Sequence, residues 1–174
     1  MIRNLFDDIR ALKYKGLSGF KGYYVEYSEW FNKLNLDKDI SLKVLDIGSD
    51  LFNTFYNYLK FKGFNISYYE GYDVNYHTII RNGRKIIDKE NLTIELFNKK
   101  LSLGFNLIKI DCEGCEYDFL NIMGFKKGIK YSIAIHNFKG LEYRFNFWKY
   151  ELKNYGFKLA YVTRDKLEYV YVKS

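Results

Sequence analysis

Four carboxylates and two thiols crowd the segment from Ile108 to Leu120, IKIDCEGCEYDFL. Cys112 and Cys115 form a C-x-x-C pair, the spacing of a thiol redox motif or half a zinc site. Redox folds of that type set a cis-proline beside the thiols, and this chain has no proline. A zinc site needs two more ligands; the two histidines, His77 and His136, lie far apart and form no H-x-x-x-H pair. The expectation is therefore no metal site, with both cysteines unbridged as small, semi-apolar packing residues. The carboxylates carry more. Asp111 ends an apolar run, while Glu113 and Glu116 fall in the following turn and first helical turn, where the helix dipole favours negative charge.

A second acidic loop lies upstream. In VLDIGSDLFNTF (Val44 to Phe55) an apolar run delivers Asp46, Gly48 permits a tight turn, and Ser49 or Asp50 stands where a helix would be capped. Glu70 follows Asp46 by 24 residues and ends another apolar run. That spacing suits an acid gripping a ribose diol, because one carboxylate accepts two hydrogen bonds. Asp73 competes for the same role.

These residues need elements to hold them. Ile2, Leu5, Phe6, Ile9 and Leu12 recur at helical spacing, and a second helical piece is expected around Tyr24 to Leu34. Buried strands are expected at Ser41 to Gly48, Phe64 to Asp73, Phe105 to Asp111 and Lys130 to His136. Leu92 to Phe97 is ambiguous between strand and helix. Helical stripes run through Leu51, Phe55, Tyr58 and Leu59 to Gly63, through Phe119, Leu120 and Met123 to Gly124, and through Leu141, Phe145, Trp148, Leu152 and Tyr155 to Gly156. FKLAYV and LEYVYV are joined by only four residues and must pair antiparallel. The pattern predicts an α/β, Rossmann-like fold: a mostly parallel sheet flanked by helices, with a C-terminal antiparallel hairpin. Residues 1–40 are expected to form a helical capping segment and residues 41–174 the domain itself. Ligands of such sheets sit beyond the carboxyl ends of the strands.

LIKIDCEGCEYDFL resembles the K-I-D-V-E-G-A-E signature of FkbM-type S-adenosylmethionine-dependent methyltransferases, with cysteines in place of Val and Ala. VLDIGSD is similar to that family's D-x-G-A-N loop, YYEGYDVNY to its F-E-P segment, and IAIHNF to its histidine-ended strand. The resemblance runs from about Ser41 to the C-terminus. It implies S-adenosylmethionine as cofactor and methyl transfer to an oxygen of a sugar or other small polar acceptor. Asp46, Gly48, Ser49 and Asp50 would then approach the methionine part of the cofactor, Glu70 or Asp73 the ribose, and Asp111, Glu113 and His136 the transfer site. His136 is a candidate general base by its ordinary pKa. Phe52 replaces the second glycine of the family loop, Asp50 its Asn and Gly71 its Pro. The alternative is a methyltransferase fold without catalysis that binds nucleic acid through a basic surface.

Composition bounds these readings. The chain has 174 residues, 48% hydrophobic and 20% aromatic, enough for one domain with a substantial core. Its net charge of +7 favours acidic partners, and KYKGLSGFKGYYVEY (Lys13 to Tyr27) interleaves lysines with aromatics. The other lysines are scattered and interrupted by acids, as a solvated surface is. The absence of proline and glutamine points to an A/T-rich genome, viral or parasitic. No signal-like or membrane-length apolar segment is evident, so a cytoplasmic protein without membrane partners is expected.

Overall fold

The structure, a computed structural model, describes residues 31–49, 53–74 and 76–174. The expected helix over Ile2 to Leu12, the Lys13 to Tyr27 segment, and Asp50, Leu51 and Phe52 lie outside the described residues.

Eight strands form one sheet: β1 (Leu42–Ile47), β2 (Ile66–Tyr72), β3 (His77–Arg81), β4 (Arg84–Asp88), β5 (Leu107–Ile110), β6 (Lys130–His136), β7 (Lys158–Val162) and β8 (Glu168–Lys173). Their order is β4-β3-β2-β1-β5-β6-β8-β7. The central strands β2, β1, β5 and β6 are parallel, as the apolar runs require of strands covered on both faces. The chain leaves β1 for β2 on one side and later returns to β5 on the other. The sheet therefore reverses its winding at the β1–β5 boundary, where a ligand crevice is expected.

The mostly parallel sheet is corrected. Antiparallel contacts join β2 to β3, β3 to β4, β6 to β8 and β8 to β7, so antiparallel pairings outnumber parallel ones. The cause is chain length. Only residues 73–76 separate β2 from β3, far short of the ten or more a crossover helix needs. The β3–β4 turn is Asn82-Gly83, both at positive φ (51° and 75°), a type I′ hairpin that fits the twist of the flanking strands.

Helices cover both faces. On one, α1 (Thr54–Phe61) packs Phe55, Tyr58 and Leu59 against Val44, Leu107 and Val170, together with Phe31 and Leu34 beside a short 3-10 turn. Gly63, at φ +83°, ends α1 and lets Phe64 N–H bond back to the Leu59 carbonyl. On the other face lie α2 (Ile94–Leu101), α3 (Glu116–Leu120) and α4 (Glu142–Asn154), with Phe97, Tyr117, Phe119, Phe145, Trp148 and Leu152 against Leu45, Ile47, Ile108 and Ile110. The ambiguous Leu92 to Phe97 segment thus resolves as the start of α2, whose Thr93 side chain caps the Leu96 N–H.

Candidate functional site at the strand tips

Strand alternation decides which acids can meet. Asp46 projects on the α1 face, where its Oδ2 accepts from Tyr69 Oη at 2.6 Å and its Oδ1 from Lys109 Nζ at 3.0 Å. Lys109 also faces Asp111 Oδ2 at 3.6 Å. One buried ammonium therefore ties the tip of β1 to the tip of β5. The loop after β1 is equally close: Gly48, at φ +82°, lies flat against the Asp111 carbonyl, where a Cβ would overlap it. The Gly48 and Ser49 N–H groups both donate to the Tyr72 carbonyl at the end of β2, and Ser49 Oγ lies 2.9 Å from Tyr69 Oη.

Beyond Asp111, the chain turns through Glu113 and Gly114, both at positive φ. This turn brings Cys112 and Cys115 within 5.4 Å between Cα atoms, inside the range a bridge spans, and the structure joins them as a disulfide. The expectation of two unbridged cysteines is corrected, although both do pack against the α2–α4 side of the core. Glu113 is exposed, whereas Glu116 is fully buried. Glu116 Oε1 accepts from the His136 backbone N–H and from His136 Nδ1, each at 3.0 Å, and Oε2 accepts from Gly114 N–H at 2.7 Å. Tyr117 Oη donates to the His136 carbonyl at 2.6 Å. The acid hydrogen-bonded to His136 is thus Glu116. Its place in the K-I-D-x-E-G-x-E pattern was visible, but its carboxylate read equally as a helix-dipole partner.

The reason for choosing His136 as a base also changes. Burial alone would lower its pKa, but the hydrogen bond to Glu116 and the charges of Asp111, Glu116 and Glu168 outweigh it and push it up to about 9. Those carboxylates favour the protonated ring as long as nothing else takes Nε2. Its Nε2 stands 3.7 Å from Asp111 Oδ1.

Glu70 is placed elsewhere. It lies within β2, level with Leu45 and one residue before the partner of Asp46, so its side chain projects on the opposite face. There it is fully buried. Its Oε1 accepts from Tyr72 Oη at 2.8 Å, His77 Nε2 at 2.9 Å and Lys100 Nζ at 2.5 Å, and its Oε2 from Tyr68 Oη at 3.0 Å. The structure therefore brings Asp46, Gly48, Ser49, Asp111 and His136 to one edge and leaves Glu70 out. Asp73, half-buried just past β2, stands at the tip. An open cleft of about 450 Å³, lined in part by Lys43, Arg81 and Phe105, lies at the other end of the parallel strands, away from these acids.

The Glu70 cluster makes a pH prediction. Burial would raise the Glu70 carboxyl, but donors from His77, Lys100 and Tyr72 outweigh it and hold it at about 2, below its ordinary 4.5. A depressed acid stabilises the fold above its unfolded pKa, and that contribution is lost as pH falls from 4.5 towards 2. His77 moves the other way. Burial would lower it, but Glu70 and Asp88 raise it above 6.5, so its contribution is full below 6.5 and fades as pH climbs through the raised value. Melting temperature against pH should form a plateau between these limits. Glu70→Gln should lower the plateau and flatten both shoulders; a profile unchanged by the substitution would refute the assignment.

The α/β sheet reverses its winding where these acids gather at the parallel strand tips, the edge at which open sheets of this kind take their ligands. Comparison with known families narrows the class. The methyltransferase FkbM domain matches residues 17–159, and the chain belongs to that family. No curated protein and no solved structure shows a match. Among the described residues no helix is long and apolar enough to cross a membrane.

Proposed function

We propose that the protein is an S-adenosylmethionine-dependent methyltransferase acting on a hydroxyl oxygen of a sugar or similar small polar acceptor. Membership of the FkbM methyltransferase family and the cluster Asp46–Lys109–Asp111–His136 at the β1–β5–β6 tips together support this reading.

The residues at this edge suit such a cofactor. Its methionine end carries an ammonium and its ribose a vicinal diol, which call for carboxylates reachable from solvent. Asp73, half-buried just past β2, meets that need; Asp46 is buried against Lys109 and Tyr69 and braces the strand tips instead. When bound, the cofactor supplies an electrophilic methyl group on a sulfonium. The protein's part is alignment, water exclusion and handling of the hydroxyl proton. Asp111 accepts a hydrogen bond from the acceptor hydroxyl. His136, braced by Glu116, stands 3.7 Å from Asp111 and orients its carboxylate. Glu113, exposed on the same turn, is open to an acceptor from solvent.

Calorimetric titration with S-adenosylmethionine tests the reading. Binding is expected, and Asp73→Ala should weaken it about tenfold, the order of one or two lost hydrogen bonds to a charged group. Glu70→Gln should act on stability and leave affinity within a factor of two or so. Folded protein that gives no heat at millimolar cofactor, yet shows salt-sensitive retention on RNA or DNA, would select the basic-surface alternative, which the +7 charge favours.

A further inference from the structure

Asp111, His136 and Glu168 each present one donor atom to a common point, all within 4.8 Å of one another. They come from three neighbouring elements of the sheet. Asp111 follows β5, His136 ends β6, and Glu168 opens β8 as the direct cross-strand partner of His136. Alternation places all three on the α1 face of the sheet, at the edge where Lys109 and Asp46 also lie.

The state of His136 is the second observation. The residue is only 4% exposed. Glu116 grips its Nδ1 and its backbone N–H from behind, which fixes the ring with Nε2 towards the gap. Nε2 makes no hydrogen bond among the described residues; Asp111 Oδ1, at 3.7 Å, lies beyond hydrogen-bond range. A carboxylate on one ring nitrogen and a forward-facing second nitrogen is the arrangement that orients a metal-ligating histidine, and an arriving cation displaces the Nε2 proton to solvent. Lys109 engages the other Asp111 oxygen, leaving Oδ1 turned to His136.

We propose that Asp111, His136 and Glu168 form a binding site for a divalent cation of the Mn²⁺–Zn²⁺ series. The mixed set of one imidazole and two carboxylates suits those ions, whereas Mg²⁺ and Ca²⁺ take all-oxygen shells. Donors around such an ion stand roughly 3–3.5 Å apart, given metal–ligand bonds of about 2.1 Å. The Asp111 and Glu168 side chains, both partly exposed, close in by rotation while the buried His136 stays fixed. Three protein donors leave coordination positions for oxygens of a polyhydroxyl ligand. That role rests on the methyl-transfer reading; the cation site itself does not.

The test uses the full chain without a histidine tag, stripped with chelator and titrated with Mn²⁺, free ion being read by electron paramagnetic resonance. One ion per chain is expected. Glu168→Gln and Asp111→Asn should each weaken binding about tenfold or more, with circular dichroism unchanged. Glu95→Gln, exposed at the start of α2 and outside the cluster, should bind as the parent does. No uptake by folded protein at about 1 mM Mn²⁺ or Zn²⁺, or equal uptake by Glu168→Gln, would overturn the site. Cofactor titration is read separately: its failure with Mn²⁺ binding intact counts against the methyltransferase reading and leaves the cation site standing.

Discussion

Gly48→Ala is expected to destabilise the protein by more than about 3 kcal/mol, summing left-handed backbone strain and a steric overlap in a packed interior. Two costs coincide at this position. The residue holds φ at +82°, a region an alanine enters at about 1–2 kcal/mol. The new methyl would also occupy the space of the Asp111 carbonyl. Gly48 is held from two sides. Its N–H and that of Ser49 are committed to the Tyr72 carbonyl on the β2 side, and the β5 loop presses from the other. Gly83→Ala is the control: φ there is +75°, but nothing lies within 4 Å of an added Cβ. It should cost only about 1–2 kcal/mol. Urea unfolding of the two variants separates the terms; similar midpoints would show that the packing of the β1 loop against β5 contributes nothing. If a soluble Gly48→Ala variant is recovered, its cofactor binding should be lost, because the widened loop separates Asp111 from the tip of β1.

Much of the central architecture was readable because buried parallel strands need continuous apolar runs. VLDI, LIKI and YSIAI could be little else, and the four-residue Thr163–Lys166 link left only a hairpin. The β3–β4 hairpin was missed although HTIIRNGRKIID carries its signal, Asn-Gly between alternating residues. The expectation of alternating strands and helices obscured it. The misplacement of Glu70 has a different origin. Its distance from Asp46 along the chain says nothing about the face on which it emerges, and one residue of register decides that. Glu116 lay inside the acidic motif but looked like a helix-start residue until the His136 backbone was seen to bond to it. The Asp111–His136–Glu168 group has no local spacing at all. It is assembled from three strand ends, and a search for paired histidines or cysteines passes over it.

Lys109→Met should be the second severe lesion, at about 3–5 kcal/mol, the cost of leaving a buried charge without its partner. Lys109 is 3% exposed and Asp46 only 1%. Methionine matches the lysine stem in length and keeps its packing beside the Phe55 ring, over which the ammonium sits at 5.8 Å. What disappears is the charge between Asp46 and Asp111, two carboxylates on adjacent strands that would otherwise repel. Asp46→Asn removes the opposite member while Tyr69 Oη can still donate to the amide oxygen, so it should cost less. The double variant should recover part of the loss, because no uncompensated Asp46 carboxylate remains inside; a coupling of about 1–3 kcal/mol is expected from the cycle. Full additivity would mean that the ammonium does not brace the two tips. The cycle also reaches the proposed chemistry. In the double variant stability returns in part while Asp111 still lacks its neighbouring cation, so the proposed cofactor binding should remain impaired. Recovery of both together would show that Lys109 serves the fold alone.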